Sequence, residues 1–152
     1  MKKLTLFLAV VLAIGCKAQI ETKGSKSESQ QSGEQKKSNV EYRILAKHEH
    51  SKADKKTFEV IRSQKQFDEY ASMLELEAMP KVDFENKLVV ILFLGQKNTG
   101  GYGIDVGHIT KDGYHLHIVT KETRPSGMAT MAITSPYCIV EVPGIDNITV
   151  EF

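Results

Sequence analysis

The feature that most constrains this chain is the run Leu88 to Leu94, "LVVILFL", in which every position is apolar. Successive side chains of a strand point to opposite faces, so a strand with no polar position must be covered on both sides. The run therefore predicts a central strand with packed layers above and below it, and the rest of the chain has to supply those layers. "KKTFEVIRS" alternates, with Phe58, Val60 and Arg62 on one side and Glu59 and Ile61 on the other, and reads as a strand. "VEYRILAKHEHS" alternates more loosely and gives a first strand with Tyr42 and Ile44 or Leu45 turned inward. In "SQKQFDEYASMLELEAMP" the period changes: Phe67, Tyr70, Ala71 and Leu74 recur at helical spacing, Ser63 stands as N-cap and Pro80 lies beyond the end. Further on, "YGIDVGHITKDGYHLHIVTKE" predicts a hairpin about Lys111-Asp112-Gly113. "MATMAITSPYCIVEVPG" predicts one or two strands, of which Tyr137 to Val142 is the clearest, and "NITVEF" another. The sum is an α+β domain, mainly antiparallel sheet and sandwich-like, with about seven short strands and one amphipathic helix.

The chain has 152 residues, room for one domain, and its 20 basic residues are balanced by 19 acidic ones. No basic stripe with interleaved aromatics is present, which argues against nucleic acid as a partner. The first 18 residues read as a targeting segment. Met1-Lys2-Lys3 is followed by an apolar stretch, Leu4 to Ile14, too short to span a bilayer as a helix, and then by Gly15 and Cys16. "LAIGC" fits a lipoprotein-processing site with Cys16 as the lipidated residue; the alternative is ordinary cleavage after Ala18 and a soluble secreted product. Either way the expectation is export to the cell envelope, with the membrane reached through the anchor on Cys16. Residues 19–39 hold one large apolar residue, Ile20, among Ser, Gln, Lys, Glu and Gly, the composition of a disordered tether. Residues 40–152 then form the folded domain. With Cys16 acylated, Cys138 has no intramolecular partner, and its place in "YCIVEV" is that of a small core residue.

The segment after the central run, "GQKNTGGYG" from Gly95 to Gly103, invites a phosphate-cradle reading. Such a cradle needs a helix after the glycines, whereas Ile104-Asp105-Val106 reads as strand, so phosphate binding is set aside. His108, His115 and His117 lie on the two arms of the predicted hairpin. A three-residue Lys111-Asp112-Gly113 loop keeps Ile104, Val106 and His108 on one face with Leu116 and Ile118, leaving His115 and His117 on the other. On that register no three-histidine metal site forms. Neither GxSxG nor HExxH nor a paired-carboxylate arrangement occurs, so the chain reads as no enzyme, with no cofactor, metal or small-molecule substrate. "NIT" at Asn147 to Thr149 matches a glycosylation sequon but falls in a predicted strand.

From Phe58 onward the order of features resembles the C-terminal domain of the PrcB family, the subunits associated with a secreted protease complex. The residues that carry the resemblance are "QFDEYASML", "VDFENKLVVILFLGQKNTGGYGIDV" and "TSPYCIVEVP". It implies a non-catalytic exported lipoprotein that binds or stabilises a peptidase partner. A second resemblance is to chagasin-type inhibitors of papain-like peptidases, through Asn98-Thr99-Gly100-Gly101-Tyr102 and Arg124-Pro125. It lacks the proline of that family's first loop and has Ser126 where an aromatic belongs. A structural envelope lipoprotein is the third reading. Both resemblances point to Asn98, Thr99, Gly100, Gly101, Tyr102 and Gly103 as the partner-binding loop, with Arg124, Pro125 and Ser126 as a second contact. Glycines let a partner's backbone approach, and Tyr102 supplies an amphipathic anchor.

Overall fold

The structure, a computed structural model, describes residues 38–128 and 130–152. The targeting segment 1–18 with Cys16, and residues 19–37 of the polar segment, lie outside the described residues. Eight strands and one helix follow in the order β1 (Ser38–Asn39), β2 (Arg43–His48), β3 (Thr57–Ile61), α1 (Gln64–Met73), β4 (Lys87–Phe93), β5 (Gly103–Asp112), β6 (His115–Thr123), β7 (Tyr137–Pro143) and β8 (Asn147–Glu151). They form two four-stranded sheets, ordered β1-β5-β6-β8 and β2-β7-β4-β3. The α+β, sandwich-like, mainly antiparallel architecture expected from the sequence is borne out.

β4 lies between β3 and β7, as its two apolar faces require. Leu88, Val90, Leu92 and Leu94 pack with Ile104, Val106 and Ile109 of β5, Leu116 and Ile118 of β6, and Cys138, Val140 and Val142 of β7, forming the core between the sheets. Val89, Ile91 and Phe93 point the other way and join Ile61, Tyr137 and Ile139 beneath Phe67 and Leu74 of the helical segment. The layers are thus sheet, sheet and helix, and the outer face of the β5-containing sheet is left to polar side chains.

Ser63 caps α1 in extended conformation, its Oγ accepting from the Gln66 N–H at 3.3 Å. Phe67 is fully buried; truncating a side chain so enclosed to alanine costs about 3–5 kcal/mol. The helix ends in a Schellman turn: Leu76 N–H donates to the Ala71 carbonyl at 2.9 Å and Glu75 N–H to Ser72 at 3.2 Å. The left-handed position of that turn, where glycine is usual, holds Glu75 at φ 54°.

Five details differ from the sequence reading. The hairpin closes one position later than expected, on a Gly113-Tyr114 turn flanked by the Asp112–His115 pair. The pairing also shifts between Val106 and His108, so Gly107 is an extra, bulged residue. A Cβ there would stand 3.1 Å from the Val119 carbonyl oxygen, which suits a glycine. The bulge lets Ile104 and Val106 face inward together with Ile109, and it turns His108 to the outer face, contrary to the expected register. Next, β8 runs parallel to β6. Ser38 and Asn39, at the end of the polar segment, pair with Lys111 and Thr110 of β5. Finally, most of residues 124–136, read as strand in part, are a loop with one isolated bridge, Lys97 to Thr134.

Candidate functional site

Three loops meet at one end of the sandwich because six strand ends do: His48, Phe93 and Tyr137 stand in adjacent register, as do Thr57 with Phe93 and Gly103 with Thr123. The loops are residues 49–56, 94–102 and 124–136. Their backbones are tied together. Gln96 N–H donates to Asp54, Ser135 N–H to Glu49, Gly100 N–H to Thr130, and Lys97 and Thr134 exchange both bonds. Side chains complete the seam: Thr134 Oγ1 donates to the Thr99 carbonyl at 3.0 Å, and the buried Ser135 hydroxyl reaches the Ala53 carbonyl at 2.7 Å and Ser51 Oγ at 2.8 Å.

Two glycines are demanded by this closeness. Gly95, at φ 77°, passes the backbone of Lys55, where a Cβ would come within 2.7 Å. Gly101, at φ 84°, abuts Pro125; a Cβ would stand 3.0 Å from that of the proline. The structure thereby places the two segments singled out in the sequence, Asn98–Gly103 and Arg124–Ser126, side by side. Asn98, Gly101, Arg124 and Ser126 are exposed, Thr99, Tyr102, Gly103 and Pro125 half-buried, and Gly100 buried.

Glu122, at the end of β6, is the electrostatic centre of this end. Its carboxylate meets Lys56 Nζ at 3.0 Å, Arg124 Nε at 3.2 Å and Lys97 Nζ at 3.6 Å, one cation from each loop. The hydrogen bond from Lys56, with the nearby Lys97 charge and the Arg124 hydrogen bond, holds the Glu122 carboxyl below its usual range against the opposing effect of burial. Three cations around one carboxylate leave the cluster net positive.

Tyr102 packs against the inter-sheet core, and Lys97 Nζ lies 5.2 Å from its ring centroid, a cation–π distance. The ring forms one wall of an open cleft of about 310 Å³ with Lys47, His48, Glu49, Asp105, Thr123 and Tyr137. A neighbouring cleft of about 320 Å³ shares His48, Glu49 and Tyr137 with it. The His48 ring stacks on Tyr137 at 5.6 Å, and burial raises the Tyr137 phenol.

Sequence reasoning missed the residues that protrude furthest. Met128 and Met131 are fully exposed and Ile133 is 63% exposed, all on the loop that continues from Arg124-Pro125-Ser126. The alternation of apolar and small residues looked like a strand there; the turn-forming Pro125 and Gly127 were the available signal for a loop. The hairpin histidines lie elsewhere. His115 Nε2 and His117 Nδ1 both bond Thr149 Oγ1, at 3.0 and 2.9 Å, and His117 Nε2 faces Glu151 at 3.3 Å. Among the described residues, no group of three His, Cys, Asp or Glu side chains is placed to hold a metal ion. Cys138 is fully buried, and that burial, aided by Asp105, pushes its thiol up to about 12, far from the thiolate a nucleophile needs.

The fold and this end together define a small β-sandwich domain with a helix on one outer face and a loop-built, net-positive tip. Residues 88–143, from the central strand through the glycine loop to the end of β7, match the family model described as PrcB C-terminal. The family resemblance read from the sequence is borne out over that segment. β3 and α1 precede the matched residues. Comparison with curated proteins and with solved structures finds no match.

Proposed function

We propose that the domain is a non-catalytic protein-interaction subunit whose loop-built tip binds a partner, in keeping with the protease-complex association of the PrcB family. The observation that carries this reading is the seam itself: Gly101 packs against Pro125, and backbone hydrogen bonds tie Gly100 to Thr130 and Lys97 to Thr134 farther along the same loop, so Asn98–Gly103 and Arg124–Ser126 present one surface. The exposed backbone at Gly101 and a half-buried tyrosine beside a cluster of cations suit protein recognition better than chemistry on a small molecule. The same proposal includes export and lipid anchoring through Cys16, which would tether the domain to the envelope membrane. β1 enters beside Lys111, at the hairpin end of β5, so the tip lies about 26 Å farther along that strand.

The side-by-side placement of the two loops also favours direct peptidase inhibition as a second reading, since chagasin-type inhibitors use an Asn-to-Tyr loop beside an Arg-Pro loop. The inward packing of Tyr102 counts against it. Bulky substitutions at exposed positions test the main reading. Asn98→Arg and Ser126→Arg should abolish co-purification of an envelope protein that the wild type captures, whereas Lys65→Glu on α1 should not. Retention of that protein by both tip variants would overturn the assignment of the tip. Inhibition of papain by the purified domain, sensitive to the same two substitutions, would establish the second reading instead.

A further inference from the structure

The loop that carries Met128, Met131 and Ile133 holds three large apolar side chains in solvent, beside a cluster in which Lys56, Lys97 and Arg124 outnumber the single carboxylate of Glu122. From this juxtaposition we infer that the partner is a protein surface with apolar pockets for these side chains and a rim of Asp and Glu residues facing the cations. The inference rests on the protein-interaction reading above and adds the chemistry of the bound surface.

Three observations favour this occupant. Methionine is unbranched and polarizable and adapts to irregular pockets, which is why it is enriched at interfaces. The cations gather around Glu122, one from each of the three loops that the backbone seam unites, and Arg124 belongs to the same loop as the apolar side chains, so charge and apolar surface share one end of the domain. Glu122 and Lys97 are both mostly buried, their side chains 17% and 20% exposed, while those of Arg124 and Lys56 are 76% and 40% exposed; the charge offered to a partner is therefore that of Arg124 and Lys56, and it is positive. A second copy of this chain would bring the same cations against one another, so like-charge repulsion disfavours self-association through this tip. Cations at a rim act mainly by steering encounter, and apolar anchors act mainly by slowing dissociation. The two parts of the site are thus separable by experiment.

The test uses the full chain in its native envelope, with a photo-crosslinking residue placed in turn at Met128, Met131 and Asn98, followed by mass spectrometry of the adducts. The expected result is one protein adduct common to Met131 and Asn98, whose crosslinked peptides lie within an Asp- and Glu-bearing surface. Its yield should fall roughly tenfold in the Lys56→Glu, Arg124→Glu background or when ionic strength is raised well above physiological. A protein adduct from Asn98 with none from Met128 or Met131 would leave the tip as a partner face and overturn the apolar-anchor inference. An adduct with lipid or with a second copy at Met131, or a yield indifferent to charge reversal and salt, would also overturn it. Silence at all three positions would overturn the protein-interaction reading itself.

Discussion

Lys97 Nζ stands 5.2 Å from the centroid of the Tyr102 ring and 3.6 Å from Glu122 Oε1, so one cation joins the aromatic of the glycine loop to the carboxylate that gathers all three loops. Tyr102 is accordingly a packed residue, half-buried at the edge of the inter-sheet core. Tyr102→Ala removes ring surface from the edge of the inter-sheet core, and a half-buried aromatic at such a place is worth about 1–3 kcal/mol. Urea denaturation should show that loss, and Tyr102→Phe, which keeps the ring, should restore most of it.

Gly101 is held at φ 84° against Pro125. Gly101→Ala combines a left-handed backbone penalty of about 1–2 kcal/mol with a tight contact to the proline ring. The expected outcome is a lowered denaturation midpoint, which makes Asn98→Arg and Ser126→Arg better probes of binding than any substitution at Gly101. An unchanged midpoint would mean that the two loops are free to separate.

Glu75 occupies the left-handed position of the Schellman turn that ends α1. Glu75→Gly should stabilise the domain by about 1 kcal/mol, since glycine adopts that conformation without the Cβ clash. The check is an upward shift of the urea midpoint at unchanged slope.

The acid limb of stability should report on Glu122. Its carboxyl is depressed in the folded protein, chiefly by the Lys56 hydrogen bond, so its contribution is fully present above the unfolded value of about 4.3 and is lost as pH falls through the folded value. Glu122→Gln should be less stable than wild type at pH 7, and the two curves should converge below about pH 4. Parallel curves throughout that range would mean that the cation cluster does not hold the carboxylate.

Much of this fold was legible because a few residues carried strong constraints. "LVVILFL" could only be a strand covered on both faces, and Phe67, Tyr70 and Leu74 behind Ser63 could only be its helical cover. The register of the hairpin was not legible, because it depends on the bulge at Gly107. A simple alternation forces a choice between inward Ile104 and Val106 and outward His108, whereas one extra residue allows both. The parallel course of β8 was hidden for a related reason: alternation in "NITVEF" fixes which side chains face inward and is silent on direction. At the tip, the two segments chosen from the sequence do lie together. Their connection through Glu122 joins residues distant along the chain, and the protruding Met128 and Met131 were masked by a pattern that imitates a strand.

The central claim is that the seam of Asn98–Gly103 with Arg124–Ser126 is a recognition surface and more than a turn. The most direct measurement is partner capture and thermal midpoint on the same preparations of wild type, Asn98→Arg, Ser126→Arg and the α1 control Lys65→Glu. The account predicts that both tip variants lose capture while their midpoints stay within a few degrees of wild type, since exposed substitutions cost about 0.5 kcal/mol or less. Capture undiminished in both tip variants at an unchanged midpoint would contradict it.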